Sequence, residues 1–311
     1  MGRSTVARLA AACSLVPFNG PAIVWSMKSG IRLRPMTASD VPFADRLRGL
    51  AGWNQAIQYW SQLLALAPSG CFIAEWNGVP AGTVTTICYD TDLGWIGMLL
   101  VHPEFRSRGL GRALLTHCLE HLHCRVRCIK LDATPQGKLL YDQLGFRVEW
   151  PLTRWKLPGL QACPSAKNEE VRPFRSSNAG LVERLDREAF GVARPAVLQT
   201  LLRGCRQAFV HQTNAGLAGF GMIREGVHAH QLGPLIAETP RSAAVLAKAL
   251  LACAEGKPIF WDIPDVNSDA AVLAKSLGFV GERHWMRMFL GPNNSPGAAA
   301  RYFAIADPSI G

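Results

Sequence analysis

The sequence predicts an α/β protein made of two similarly folded domains, and three observations carry that prediction. An apolar run over residues 95–101, stopped by Pro103, leads through Gly109 and Gly111 into a helix on which Leu114, Leu115, Cys118, Leu119 and Leu122 share one buried face. Motifs of the first half recur in the second: Val171-Arg172-Pro173-Phe174 echoes Leu33-Arg34-Pro35-Met36, Asn214-Ala215-Gly216 echoes Asn77-Gly78, and Leu277-Gly278-Phe279 echoes Leu144-Gly145-Phe146. Beyond those last glycines, Arg287-Met288-Phe289-Leu290 matches Arg154-Trp155-Lys156-Leu157 in register. A chain of 311 residues also suits two domains of roughly 150 residues each.

Taken in order, residues 1–27 read as a disordered or mis-started extension, because the apolar stretch before Cys13 is too short for a signal sequence. The first strand closes at Pro35, and the capping pattern Thr37-Ala38-Ser39-Asp40 starts a helix that runs to about Leu50. A second helix is expected over 53–66, with Trp53, Ile57, Trp60 and Leu64 on one stripe. Residues 71–76 and 79–89 form a hairpin about Asn77-Gly78, and a strand follows over 127–132. Thr134 to Gly137 turns into a short helix carrying Tyr141. Strands near 147–150 and 153–157 complete a first domain over 28–157. Residues 158–171 mix Pro, Gly, Ser, Lys and Glu without periodicity and read as a linker to a second domain over 172–311.

The turn between the 95–101 strand and its helix is where chemistry is expected. Gly109 and Gly111 permit positive φ and close approach to the backbone. The free N–H groups of the helix's first turn then face an open loop, where the helix dipole favours an anion. Arg106, Arg108 and Arg112 add full positive charges, so the loop reads as a phosphate or pyrophosphate cradle. The dinucleotide fingerprint needs a Gly-x-Gly-x-x-Gly spacing that the loop lacks.

Arg106-Ser107-Arg108-Gly109-Leu110-Gly111, preceded by Val101-His102-Pro103, resembles the Arg/Gln-x-x-Gly-x-Gly/Ala signature of the GNAT superfamily of acyl-CoA-dependent N-acyltransferases. Tyr141-Asp142-Gln143-Leu144-Gly145-Phe146 is similar to that family's Tyr-x-x-x-Gly-Phe. The resemblance extends over residues 28 to about 290, and the second half resembles the second GNAT-like domain of some tandem acetyltransferases. It implies that each domain is a mixed, mostly antiparallel twisted sheet flanked by helices. Acetyl-CoA is the implied cosubstrate, and the implied reaction is direct acetyl transfer to a primary amine in a ternary complex.

The same resemblance assigns roles. Backbone N–H groups of Ser107, Arg108, Gly109, Leu110, Gly111 and Arg112 would grip the pyrophosphate, beside Arg106. The strand edge at Met98, Leu99, Leu100 and Val101 would pair with the pantetheine amides. Thr134, where the family often has Asn, would contact the cofactor at the helix start, and Gly137 stands where the family often has Ala. Tyr141 would act as general acid, since a phenol of pKa about 10 can protonate a thiolate of pKa about 8.5. In the second domain, Gly233 to Pro240 replaces the arginine and glycine loop and brings Glu238, so one active site per chain is expected.

An alkylammonium must lose a proton before it attacks, so a base is needed. The 95–101 strand has no carboxylate. Asp132, at the end of the following strand, is the first choice, with Asp92 and Glu75 behind it. Asn54 and Gln55 could reach the acceptor if exposed. His228 and His230 would face one side of a strand, but no third ligand accompanies them and no metal is expected.

Composition bounds the function. No run reaches the ~18 apolar residues of a membrane span, and nine cysteines without a Cys-x-x-Cys pair suit free thiols in a reducing cytoplasm. Of the formal charge of +10, the larger share lies in the half that holds the arginine loop. An anionic cofactor accounts for part of that excess, and no dense basic run with interleaved aromatics argues for nucleic acid. The expected partner is a small-molecule or peptide amine; the rival reading is a non-catalytic acyl-CoA sensor or protein-interaction module. Oligomeric state has no signature in the sequence.

Overall fold

The computed structural model describes residues 30–159, 169–254 and 256–311. The extension over 1–27 and most of the 158–171 linker lie outside them. The first half runs β1 (Ile31–Pro35), α1 (Val41–Leu50), α2 (Gln58–Leu66), β2 (Cys71–Trp76), β3 (Val79–Tyr89), β4 (Leu93–Val101), α3 (Leu110–Leu122), β5 (Cys128–Ala133), α4 (Pro135–Gln143) and β6 (Arg147–Leu157). The second half repeats that order: β7 (Val171–Pro173), α5 (Ala179–Phe190), α6 (Pro195–Gly204), β8 (Cys205–Thr213), β9 (Gly216–Arg224), β10 (His230–Ala237), α7 (Pro240–Leu251), β11 (Ile259–Pro264), α8 (Ser268–Ser276) and β12 (Val280–Leu290), followed by a short β13 (Tyr302–Ala304).

All the strands belong to one sheet, in the order β1-β2-β3-β4-β5-β12-β6-β11-β10-β9-β8-β7, with β13 paired to β10 off that path. The two ends of the order mirror each other, but the central strands are exchanged. β12 of the second half lies beside β5, with Met286 opposite Ala133 and Leu290 opposite Ile129. β6 of the first half lies beside β11, with Ile259 opposite Leu157. The boundaries 28–157 and 172–311 therefore divide the chain into repeats but not into separate packing units, because each repeat's last strand closes the other's sheet.

Two further expectations change. Residues 147–157 form one strand where a break at Pro151 was expected: a proline lacks only the donor, and the Pro151 carbonyl still accepts from Asp265 N at 2.9 Å. The second helix begins at Gln58 and not at Trp53. Residues 53–57 remain a loop, held by Asn54, whose Oδ1 accepts from His228 N and Ala229 N at 3.0 Å and whose Nδ2 donates to Ala229 O at 3.0 Å. Asn54 is thus a buried clamp between the halves, its polar atoms engaged by His228 and Ala229.

The exchange explains the core. Trp60 and Trp95 of the first half pack in one cluster with Phe190, Phe220 and Trp285 of the second, while smaller clusters lie under α3 and α7. Residues 307–311 run into the same junction: Trp95 Nε1 donates to Pro308 O at 3.1 Å, the Tyr89 hydroxyl donates to Ile310 O at 2.7 Å, and Tyr59 Oη lies 2.9 Å from Ser309 Oγ. Gly97 admits this segment, because a Cβ there would strike the Ser309 carbonyl. Cys71, Cys88, Cys118, Cys128, Cys205 and Cys253 are free thiols.

Candidate active site

The site begins where two parallel strands part. β4 and β5 pair only from Leu93–Cys128 to Trp95–Lys130, and beyond that point they diverge. β4 bulges there: Met98 takes φ 50°, the β3–β4 register shifts, and Thr83 Oγ1 donates to Met98 O at 2.9 Å. A positive φ on a methionine is a strained conformation that its surroundings must hold. The divergence opens a cleft of ≈ 1160 Å³ that takes in the β4 segment Met98–Val101, the loop before α3, the start of α4 and part of β12.

At one end of the cleft α3 presents its N-terminus. Ser107 at φ 61° and Gly109 at φ 94° turn the chain so that Leu110 starts the helix. For Gly109 this is the left-handed region a side chain would disfavour. A Cβ on Gly111 would meet nothing closer than 3.8 Å, so the protein itself leaves that position open. The three arginines separate. Arg106 lines the cleft and donates to Val101 O at 3.2 Å. Arg108 stacks over Trp76 and Phe105, its guanidinium 5.2 and 5.6 Å from the rings. Arg112 donates to Gln143 Oε1 of α4, tying the two helices together. A diverged strand edge followed by a helix N-terminus beside Arg106 fits a long ligand with amide groups and a terminal anion, which matches pantetheine pyrophosphate.

Along the opposite wall, Thr134 caps α4 by accepting from Gly137 N at 3.1 Å, and it lines the cleft. One turn on, the Tyr141 ring packs at 5.9 Å from Phe146 and over Gly137, where a Cβ would fall 2.9 Å from Tyr141 Cε2. That contact accounts for Gly at position 137. Burial pushes the Tyr141 phenol above its ordinary value of 10.0.

Asp132 does not have the placement expected of the base. Its carboxylate is fully buried and accepts from Arg287 Nε at 2.8 Å and Arg287 Nη2 at 2.9 Å. Burial raises its pKa and the Arg287 guanidinium lowers it, with burial the larger effect. Asp132 is among the residues lining the cleft, but the Arg287 fork holds both of its carboxylate oxygens, which makes it first a buried partner of that arginine. Glu75 is held by Arg34 at 2.6 Å and Asp92 by Arg127 at 3.1 Å, and neither lines the cleft.

Gln55, expected near this end of the cleft, does line it and donates to Asp307 at 3.0 Å, while other lining groups were not legible in the sequence. Glu282, Arg283, His284 and Trp285 come from the exchanged strand β12, and Ser309 comes from the segment that follows β13. His284 Nδ1 lies 2.9 Å from Thr153 Oγ1, and among the described residues its Nε2 has no protein partner. Glu282 is half-exposed beside Lys156 at 3.3 Å. The repeat register of Arg287 with Arg154 marks β12 as a copy of β6, but which sheet it joins is set by tertiary pairing. His228 and His230 do not share a strand face, since β10 begins at His230 and His228 lies before it.

The corresponding opening of the second half is closed. β10 and β11 pair only from His230–Ile259 to Leu232–Trp261 and then diverge, as β4 and β5 do. β13 enters the gap, with Leu235 opposite Ala304 and Ile236 opposite Tyr302. Trp261 Nε1 donates to Phe303 O at 2.6 Å, and Asn267 Nδ2 donates to Ala300 O and Tyr302 O at 2.9 Å. The chain's own strand therefore lies where a ligand strand would pair.

Comparison with known proteins places this arrangement. Residues 42–146 match the Acetyltransferase (GNAT) family and residues 182–304 match an Acetyltransferase (GNAT) domain, together more than half of the chain. The chain is 25% identical over 261 residues to the holothin acyltransferase of Pseudoalteromonas sp. (strain SANK 73390), covering 83% of this chain and 87% of that one. It is 26% identical over 237 residues to the uncharacterized N-acetyltransferase YitH of Bacillus subtilis, covering 75% and 82%. In structure it is similar to a putative acetyltransferase from Pyrococcus horikoshii, with a TM-score of 0.79, 25% identity, and coverage of 91% of this chain and 97% of that one. A tandem GNAT protein from the clavulanic acid biosynthesis pathway shares the fold at a TM-score of 0.62 and 17% identity, over 85% of this chain and 100% of that one.

Proposed function

The chain belongs to the GNAT superfamily of acyltransferases, with two such domains in tandem, and from that premise we propose that its first half transfers an acetyl group from acetyl-CoA to a primary amine. The observation that carries the proposal is the open β4–β5 divergence, with the α3 N-terminus at one end and Tyr141 on its wall. The filled β10–β11 divergence supports one acyl-CoA site per chain.

The chain's own groups divide the work. The N–H groups of residues 107–112 and Arg106 bind the pyrophosphate, and the strand edge from Met98 to Val101 aligns the pantetheine arm. Bound acetyl-CoA supplies the activated acyl group: a C–N bond to the amine forms as the C–S bond breaks. His284 takes the proton from the attacking amine, directly or through water, with Thr153 holding its ring. Tyr141 gives its proton to the departing sulfur, and its raised pKa keeps that proton in place at neutral pH. A backbone N–H at the β4 bulge around Met98 would meet the acyl oxygen as it gains charge. A cofactor sensor would need none of the proton-handling groups, and its rivalry rested on the lack of a base in the first half. β12 brings an imidazole to the cleft, and the likeness to a holothin acyltransferase supports acyl transfer over sensing.

Acetyl-CoA incubated with the full chain and a panel of amines tests this, with free thiol and acetylated product both measured. Stoichiometric thiol and N-acetyl product is the expected result. Tight binding of acetyl-CoA with no product from any amine contradicts catalysis.

A further inference from the structure

The acceptor wall contains an arginine pair with one carboxylate between its two members. Arg154 on β6 and Arg283 on β12 are directly opposite each other in the central ladder. Both line the cleft, and both guanidiniums lie over the Trp285 ring, at 4.9 and 6.0 Å. Arg154 is neutralised: its Nε and Nη2 each donate to Asp262 at 2.7 Å. Among the described residues no carboxylate is paired with Arg283, which is exposed. The Arg154 charge is thus balanced within the wall, and Arg283 is left as the exposed cation that an anionic group could meet.

The acids nearby are already committed. Asp262 is fully buried against Arg154 and also accepts from Gln231 Nε2 at 3.1 Å. Asp307 is buried and accepts from Gln55 Nε2, Ser309 N and Ser309 Oγ. Glu282 faces Lys156. Leu50, Trp53 and Trp285 give this wall apolar surface, beside the polar Gln55, His284 and Ser309. Among the described residues the exposed acid of this wall, Glu282, faces Lys156, whereas Arg283 has no acidic partner, so the wall favours an anion over a polycation.

We infer that the acceptor is a small amine bearing a carboxylate and an apolar or aromatic body, as in an apolar α-amino acid, with its carboxylate on Arg283. This rests on the acyl-transfer reading above and specifies its acceptor. Arg283 acts as a specificity-determining residue: a guanidinium holds a carboxylate by two parallel N–H bonds, while Trp285 and Trp53 cover the body.

The test compares acetyl transfer to the proteinogenic amino acids, their α-amides, phenethylamine and spermidine, for the full chain and for Arg283→Gln and Arg283→Glu. At least one apolar amino acid is expected to exceed its own amide by about tenfold or more in kcat/KM. Arg283→Gln should bring the two within about threefold, through KM, and Arg283→Glu should favour the amide. Preference for spermidine or for the amides, or an unchanged ratio in Arg283→Gln, overturns the assignment while leaving acyl transfer standing. Transfer to no amine, with acetyl-CoA still bound, overturns both.

Discussion

Arg287 of the second half donates two hydrogen bonds to Asp132 of the first, and the repeat-related Arg154 of the first half donates two to Asp262 of the second. Each half thus neutralises the other's buried carboxylate across the exchanged strands. Removing one partner of a buried pair typically costs about 3–5 kcal/mol, because the other charge is left unpaired in low dielectric. Asp132→Ala is expected to lower thermal stability strongly, whereas kcat of the protein that remains folded stays within about threefold of the parent. Calorimetry beside steady-state kinetics checks this; a stable Asp132→Ala protein without turnover would restore Asp132 as the base.

Tyr141→Phe keeps the ring on Gly137 and removes only the proton donor. The expected loss is about 100-fold in kcat, with acetyl-CoA affinity within about threefold. Since burial raises the phenol above 10.0, the group stays protonated below that pH. A pH–kcat profile should then show no alkaline fall attributable to Tyr141 up to pH 10. A kcat unaltered by the substitution would remove Tyr141 from the reaction.

Gly137→Ala tests how tightly that tyrosine is placed. The new Cβ would sit 2.9 Å from Tyr141 Cε2 and 3.3 Å from Thr134 Oγ1, so the ring must move. A fall of about tenfold in kcat is expected, since a misplacement near 1 Å costs up to about 100-fold, with the global fold retained by circular dichroism. Full activity would show that the ring's position is not critical.

The Arg34–Asp40 pair sets an acid limit. Arg34 donates to both Asp40 oxygens, at 2.8 and 2.7 Å, and holds the carboxyl down at about 2 from an ordinary 3.8. A depressed folded pKa contributes stability that is fully present above 3.8 and is lost as pH falls toward about 2. Asp40→Asn should therefore unfold more easily at neutral pH and lose less on acidification over that window. Parallel acid titrations of the two proteins would contradict this.

Much of the first half was legible because its signals are local. The glycine turn of Gly109, the α3 stripe from Leu114 to Leu122 and the Tyr141 helix are each written within about a dozen residues. The repeat was legible for the same reason, including the register of Arg287 with Arg154. The exchange of β6 and β12 was not, because two strands with the same pattern fit either sheet and only the pairing of distant residues decides between them. That single non-local fact pairs Asp132 with Arg287 and brings Arg283 and His284 to the cleft. The burial of Asn54 is illegible for the same cause, since the turn at 226–229 that buries it lies more than 170 residues away.

One acyl-CoA site per chain, at the β4–β5 divergence, is the claim on which the rest depends, and a calorimetric titration of the full chain with coenzyme A tests it directly. The account predicts one coenzyme A bound per chain and loss of that binding in Gly109→Glu, which places a carboxylate and a disfavoured φ at the α3 N-terminus. Two coenzyme A molecules per chain, or one bound undiminished by Gly109→Glu, would contradict it.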